Sequence, residues 1–152
     1  MVIGEFRRPW NAKPDAGHLA AHIPASNVWA YDPRGISQIG CIYTAQGFEF
    51  DYVGVIFGTD LVYRHGMGWV GKPQDSRDNT VVRGGEKFLD LVKNTYRVLL
   101  TRGMKGCFVY FLDKETEQFF RSRTEEVGDP PIRGTSAANS SRPAPAKQMK
   151  ML

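Results

Sequence analysis

The chain has 152 residues, of which 41% are hydrophobic and 12% aromatic, enough to bury a core and ordinary for a soluble globular protein rather than a disordered one. Its formal charge of +4 argues poorly for a polyanion partner, because Arg133, Arg142, Lys147 and Lys150 against Asp129 place most of it beyond Val127 and leave the body near neutral. No apolar run approaches the length of a transmembrane span, and Glu5, Arg7, Arg8 and Pro9 stand where a secretory signal needs its apolar stretch, so a cytoplasmic protein with no membrane partner is expected.

Residues 1 to about 35 read as loop. Short apolar patches, Val2-Ile3 and Val28-Trp29-Ala30-Tyr31, are separated by Pro14-Asp15-Ala16-Gly17 and Ile23-Pro24, which break any helix. Two tryptophans, Trp10 and Trp29, look exposed in this setting, which suggests a preceding segment that covers them. From about Ile39 a strand is predicted to carry Cys41 and Tyr43, Thr44-Ala45-Gln46-Gly47 turns, and Tyr52 to Phe57 forms a second buried strand. Both strands read as apolar on both faces, the pattern of a sheet covered by helices on each side.

Asp60 to Gly71 holds two short β-like pieces around His65-Gly66-Met67-Gly68, which predicts a hairpin inserted on the sheet. Residues 72 to 84 are polar and turn-rich. Phe88, Leu91, Val92, Thr95, Tyr96, Val98 and Leu99 then recur at helical spacing, predicting an amphipathic helix from about Gly85 to Thr101. Gly103 and Gly106 bracket a turn into a strand from Cys107 to Leu112, and Lys114 opens another helix with Asp113 as its N-cap. The strand-helix-strand order argues for an α/β fold over residues 1–126. From 127 to 152 the chain is Pro, Ala, Ser and Gly with scattered basic residues, too poor in large apolar groups to pack, and a disordered tail is expected.

Cys41 and Cys107 fall in the predicted strands and read as small core hydrophobes, since neither belongs to a Cys/His cluster. His18, His22 and His65 have no carboxylate or cysteine partner at ligand spacing, so no metal site is predicted. Trp10, Trp29 and Trp69 could stack on single-stranded bases, but tryptophans this dispersed are more often core or interface residues. Gly84-Gly85 before the helix could receive an anion, which Glu86 directly after them disfavours.

Two blocks carry chemistry. In Thr44-Ala45-Gln46-Gly47-Phe48-Glu49-Phe50-Asp51, Gly47 permits a tight turn, Gln46 offers a donor and an acceptor, and Glu49 can accept from a hydroxyl. Alone, this fits an ordinary strand-to-helix turn with Glu49 as a helix-start acid. In Leu100-Thr101-Arg102-Gly103, Arg102 ends a helix; alone, it fits a cation satisfying the helix dipole. Taken together, the blocks resemble motifs V and VI of superfamily 1 helicases of the UvrD-like type, and residues 2 to about 122 resemble the end of the Schlafen group 3-like DNA/RNA helicase domain.

That resemblance implies a partial RecA-like sheet, the second domain of a P-loop NTPase, flanked by helices. It implies that Gln46, Gly47 and Glu49 meet the nucleotide sugar or phosphates, that Tyr43 and Thr44 meet a nucleic-acid backbone, and that Arg102 reaches the γ-phosphate as the catalytic arginine. Its planar guanidinium is suited to phosphate oxygens as lysine is not. The sequence departs from the pattern in two places. Cys41-Ile42-Tyr43 stands where many relatives carry Thr-aliphatic-His, and Tyr96 lies six residues before the arginine instead of five, with Arg97 in the usual aromatic slot and best read as a solvated helix charge.

The cofactor implied is ATP with magnesium, held only together with an N-terminal RecA-like half, because no G-x-x-x-x-G-K-[ST] occurs and no aliphatic strand ends in paired acids. Lys72, Lys87 and Lys105 lack the required glycine spacing and following hydroxyl. The expectation is the C-terminal segment of an ATP-dependent DNA or RNA helicase or translocase, inactive as an isolated chain. The rival is a non-enzymatic remnant, a nucleic-acid or protein interaction module that keeps the fold. A nuclease would need paired acids and a lysine that are not present.

Overall fold

The structure is a computed structural model that describes residues 1–127 and 150–151. In chain order it has a small antiparallel pair, β1 (Val2–Ile3) and β2 (Phe6–Arg7), a one-turn helix α1 (Ile42–Ala45), the long strand β3 (Phe50–Phe57), and a hairpin of β4 (Leu61–Arg64) and β5 (Gly68–Gly71). There follow a one-turn helix α2 (Asn79–Val82), the long helix α3 (Phe88–Leu100), strand β6 (Gly103–Phe111), helix α4 (Lys114–Val127) and a two-residue strand β7 (Lys150–Met151). Four short 3-10 turns fill the connections.

β3 is the centre of a parallel sheet with the order β6-β3-β7. It pairs with β6 from Val53↔Cys107 to Phe57↔Phe111, with an irregularity between Phe50↔Gly103 and Tyr52↔Gly106. The parallel pairing requires a crossover, and α3 supplies it. Side chains alternate across a strand, so Val53, Val55 and Phe57 share one face with Cys107, Val109 and Phe111. On that face the apolar side of α3, with Phe88, Val92, Tyr96 and Leu99, joins the buried core. Phe57 stacks on Tyr96 at 3.9 Å between ring centroids, and Phe111 meets Phe120 of α4 at 4.9 Å.

The opposite face was expected to be covered as well, and it is covered only in part. Ile56 is buried there, but Tyr52, Phe108 and Tyr110 are exposed. The reason lies in where the preceding segment packs: α1 and α2 both lie against α3 rather than over β6.

The hairpin forms where predicted, as a two-stranded sheet of its own with α4 laid against β4. Tyr63 stacks on Phe119 at 3.8 Å, and the Tyr63 N–H donates to Thr116 Oγ1 at 2.9 Å. Asp113 is the N-cap anticipated for α4: its Oδ1 accepts from the Thr116 N–H at 2.9 Å and from the Thr116 hydroxyl at 2.7 Å. The same carboxylate takes both terminal nitrogens of Arg64, at 2.9 and 2.8 Å. The Arg64 bonds, followed by those from Thr116, hold the Asp113 carboxyl well below the usual carboxylate range.

Three local expectations are corrected. The strand predicted through Cys41 and Tyr43 is α1 instead. Thr44 Oγ1 accepts from the Cys41 N–H and donates to the Cys41 carbonyl, both at 3.0 Å, and this reciprocal cap starts a helical turn that β-propensity alone does not anticipate. Cys41 is therefore only half-buried, as is Cys107, whose thiol burial pushes up. Gly103 and Gly106 do not form a turn; both lie within β6, at its irregularity. Trp29 is fully buried, edge-on to Phe50 with ring centroids 6.3 Å apart, and its indole lies so close over Gly40 that a Cβ there would enter the ring. Trp10 is exposed, as expected.

The segment read as a disordered tail lies outside the described residues apart from Val127, which ends α4, and the pair Lys150–Met151, which lies parallel to Val53 and Gly54. No helix among the described residues is long and apolar enough to cross a membrane.

Candidate functional site

The two sequence blocks meet. α1 ends at Gln46, where ψ turns to 131°, and Gly47 follows with φ of 86°, in the left-handed region that glycine enters without strain. The Phe48 N–H returns to the Ala45 carbonyl at 3.2 Å, closing the turn, and Glu49 leads directly into β3. The turn thus runs from helix to strand, not from strand to helix, and Glu49 does not begin a helix. Gln46, Gly47 and Glu49 are all exposed. A Cβ at Gly47 would meet nothing within 4 Å, so its requirement is conformational, not steric.

Arg102 stands beside this turn because β3 and β6 begin together. The Phe50 N–H donates to the Arg102 carbonyl at 2.9 Å. Its guanidinium, part-buried, donates from Nε to the Val98 carbonyl at 3.1 Å, from Nη1 to the Phe48 carbonyl at 3.4 Å and from Nη2 to Thr101 Oγ1 at 3.5 Å. The first bond satisfies a last-turn carbonyl of α3, the role a basic residue takes at any helix C-terminus. The other two are long, and a guanidinium carries five N–H groups in all. Donors therefore remain for an anion that approaches the turn.

Tyr43 and Thr44 part company. Tyr43 is 56% exposed, and its hydroxyl donates to the Asp78 carboxylate at 3.0 Å. Asp78 in turn caps α2, accepting from the Thr80 N–H at 2.9 Å. Thr44 is buried, its hydroxyl engaged with Cys41. Arg97 bonds Asn94 at 2.8 Å on its own helix.

Tyr96 has a clear structural task. Its hydroxyl donates to Asp60 Oδ1 at 2.7 Å and accepts from the Gly58 N–H at 2.8 Å, so it ties α3 to the end of β3. Burial, then the Asp60 charge, pushes its phenol far above the ordinary value. One neighbour of the turn was not singled out from the sequence. Tyr31, largely exposed, sets its ring edge-on to Phe48 with centroids 5.0 Å apart. The only signal for it was the apolar patch Val28 to Tyr31.

The arrangement gathers an amide, a carboxylate and a guanidinium around one exposed turn. A guanidinium and an amide N–H can donate to anionic oxygens, and a carboxylate can accept from hydroxyls. Among the described residues no group of three or more His, Cys, Asp or Glu could hold a metal ion.

Comparison with known proteins identifies the family. A relative in Saccharomyces cerevisiae, the uncharacterised protein YPL245W, is 29% identical over 98 residues, 59% of this chain and 22% of that protein. The chain thus spans about a fifth of the length of that relative. No solved structure matches it. Residues 1–113, which include β3, the turn before it, α3 and β6, match the family described as Schlafen group 3, DNA/RNA helicase domain, and the chain belongs to that family.

Proposed function

We propose that this chain supplies part of the second RecA-like domain of an ATP-dependent helicase or translocase acting on DNA or RNA, with Arg102, Gln46, Gly47 and Glu49 facing the nucleotide. The observation that carries the reading is the bond between the Arg102 guanidinium and the Phe48 carbonyl, which brings the arginine to the turn that bears the other three residues. Arg102 would stabilise charge on the γ-phosphate, Glu49 would accept from a ribose hydroxyl, and Gln46 would bond either sugar or phosphate. ATP and magnesium would be held chiefly by a Gly-rich loop contributed by an N-terminal RecA-like half, in cis or in trans. This chain alone would not turn over ATP. Tyr43 is the better placed of the two residues offered to a nucleic-acid backbone; Thr44 could reach a phosphate only if α1 unwound.

The test is ATP turnover by this chain alone, together with an N-terminal helicase half of the family, and with Arg102→Ala in the combined system. No turnover alone, turnover with the partner and its loss in the variant are the results expected. Turnover unchanged by Arg102→Ala would sink the assignment.

The exposed aromatic face of Tyr52, Phe108 and Tyr110 favours a second reading, an interaction module without catalysis. Salt-dependent affinity for single strands, with no ATP turnover under any combination, would support it.

A further inference from the structure

Tyr31 is the most exposed aromatic among the described residues, 72% open to solvent, and yet its backbone is held on both sides. Two places before it, Trp29 is fully buried against Phe50. One place after it, Asp32 accepts from the Arg34 N–H at 2.9 Å, and the same carboxylate holds Arg34 Nε at 2.9 Å. The Tyr31 and Asp32 N–H groups both donate to the Val28 carbonyl, at 3.0 and 2.9 Å. A side chain this exposed adds little to the core. Its place is nevertheless beside the candidate site. Trp29 and Tyr31 lie against Phe50 and Phe48, the two residues whose backbone Arg102 holds. Phe48 alone separates the guanidinium, on its carbonyl, from Tyr31, on its ring. A ligand whose anionic end meets Arg102 therefore finds an uncovered aromatic ring beside it.

We propose that the base of the nucleotide stacks on Tyr31, and that the site accordingly takes nucleoside triphosphates with little regard to the base. The inference rests on the reading that Arg102 and the Gln46–Glu49 turn face a nucleotide, and it assigns the end of the ligand away from the phosphates. Every base has a π-face, so stacking on an aromatic side chain holds purines and pyrimidines alike. Selection of one base needs donors and acceptors set against its edge. Next to Tyr31 those groups are engaged within the loop. The Asp32 carboxylate is taken by Arg34, the N–H groups of Tyr31 and Asp32 go to the Val28 carbonyl, and Arg34 Nη1 donates to the Ala21 carbonyl at 2.9 Å. What the loop offers a ligand is the ring.

The test is steady-state turnover of ATP, GTP and CTP, and its inhibition by inorganic tripolyphosphate, by this chain combined with an N-terminal helicase half of the family. The three nucleotides are expected to have kcat/KM within about tenfold of one another. Tyr31→Ala should raise KM about tenfold for each with little change in kcat, and Tyr31→Trp should keep the parent's KM. Inhibition by tripolyphosphate, which has no base, should be the same in all three proteins. Tyr31 is exposed, so an unchanged melting transition shows that the variants are folded. An unchanged KM in Tyr31→Ala, or an equal loss of affinity for tripolyphosphate, overturns the proposal and leaves the role of Arg102 standing. A preference for one base above about a hundredfold overturns its second part. Absence of turnover, or turnover indifferent to Arg102→Ala, overturns the proposal together with the reading beneath it.

Discussion

Arg102 and Phe48 are joined across 54 residues of sequence: the arginine Nη1 donates to the Phe48 carbonyl at 3.4 Å. One peptide later the direction reverses, and the Phe50 N–H donates to the Arg102 carbonyl at 2.9 Å. The guanidinium is thereby both a cap on α3 and a neighbour of the Gln46–Glu49 turn. A merely structural arginine and a catalytic one make different predictions here.

If Arg102 reaches the γ-phosphate, Arg102→Ala lowers ATP turnover in the combined system by about a thousandfold or more, with a much smaller change in nucleotide binding. Arg102→Lys is the sharper test. A lysine can still cap α3 and keep the melting temperature close to the parent's, but it lacks the planar fork and should leave turnover low. Steady-state turnover, nucleotide affinity and a melting curve on each variant separate the two roles. Recovery of full turnover by the lysine would refute the phosphate role.

Gly47→Ala should destabilise the chain by about 1–2 kcal/mol, because alanine at positive φ brings its Cβ against the following carbonyl. Since open space surrounds that position, no clash adds to the cost. A shift of the urea midpoint at unchanged slope measures it. A midpoint equal to that of the parent chain would mean that the turn relaxes freely, which would weaken its candidacy as a fixed ligand site.

Tyr96→Phe leaves the part-buried Gly58 N–H without its acceptor and removes a donor from Asp60, at a cost of about 1–3 kcal/mol. The phenol's raised folded-state value also sets the sign of a pH effect. Above about pH 10 the unfolded chain loses this proton and the folded chain keeps it. The contribution is thus full below the unfolded value and declines as pH rises past it. Denaturation curves from pH 8 upward should fall more steeply for the parent chain than for Tyr96→Phe, and equal slopes would contradict the linkage.

Asp113 works at the acid end. Its folded-state carboxyl titrates below the ordinary value, first because of the bonds from Arg64 and then because of those from Thr116. Its contribution is present above about pH 4 and declines as pH falls through the depressed range, where the folded chain must take up the proton it had given up. Asp113→Ala should cost about 1 kcal/mol near neutral pH through the lost cap of α4. It should also flatten the acid limb of the stability curve. Stability followed from pH 6 to pH 2 in both proteins checks the two effects at once, and parallel acid limbs would count against the cap's ionic part.

The periodic elements were legible before any coordinates. α3 announces itself through Phe88, Val92, Tyr96 and Leu99, and β3 through an unbroken apolar run; the hairpin reads from its paired glycines and α4 from Asp113. Each signal is local, since a helix or a strand repeats its preference every few residues. What failed was decided by contacts between distant residues or by one side chain's hydrogen bonds. Cys41 to Tyr43 has strand-like composition, yet the Thr44 hydroxyl turns it into α1. Trp29 lies in a stretch that reads as loop, yet Gly40 leaves room for its ring and Phe50 completes its burial.

The same division holds for the candidate site. The sequence by itself determined which residue types are present, the spacing of Gln46, Gly47, Glu49 and Arg102, and a family resemblance that the comparison of residues 1–113 bears out. Only the tertiary structure decided that Arg102 touches the turn, that Tyr43 faces outward while Thr44 faces inward, and that Tyr96 is a tie between elements. The physical reason is that parallel pairing of β3 with β6 joins segments about fifty residues apart, and no local preference encodes which side chains that pairing makes neighbours.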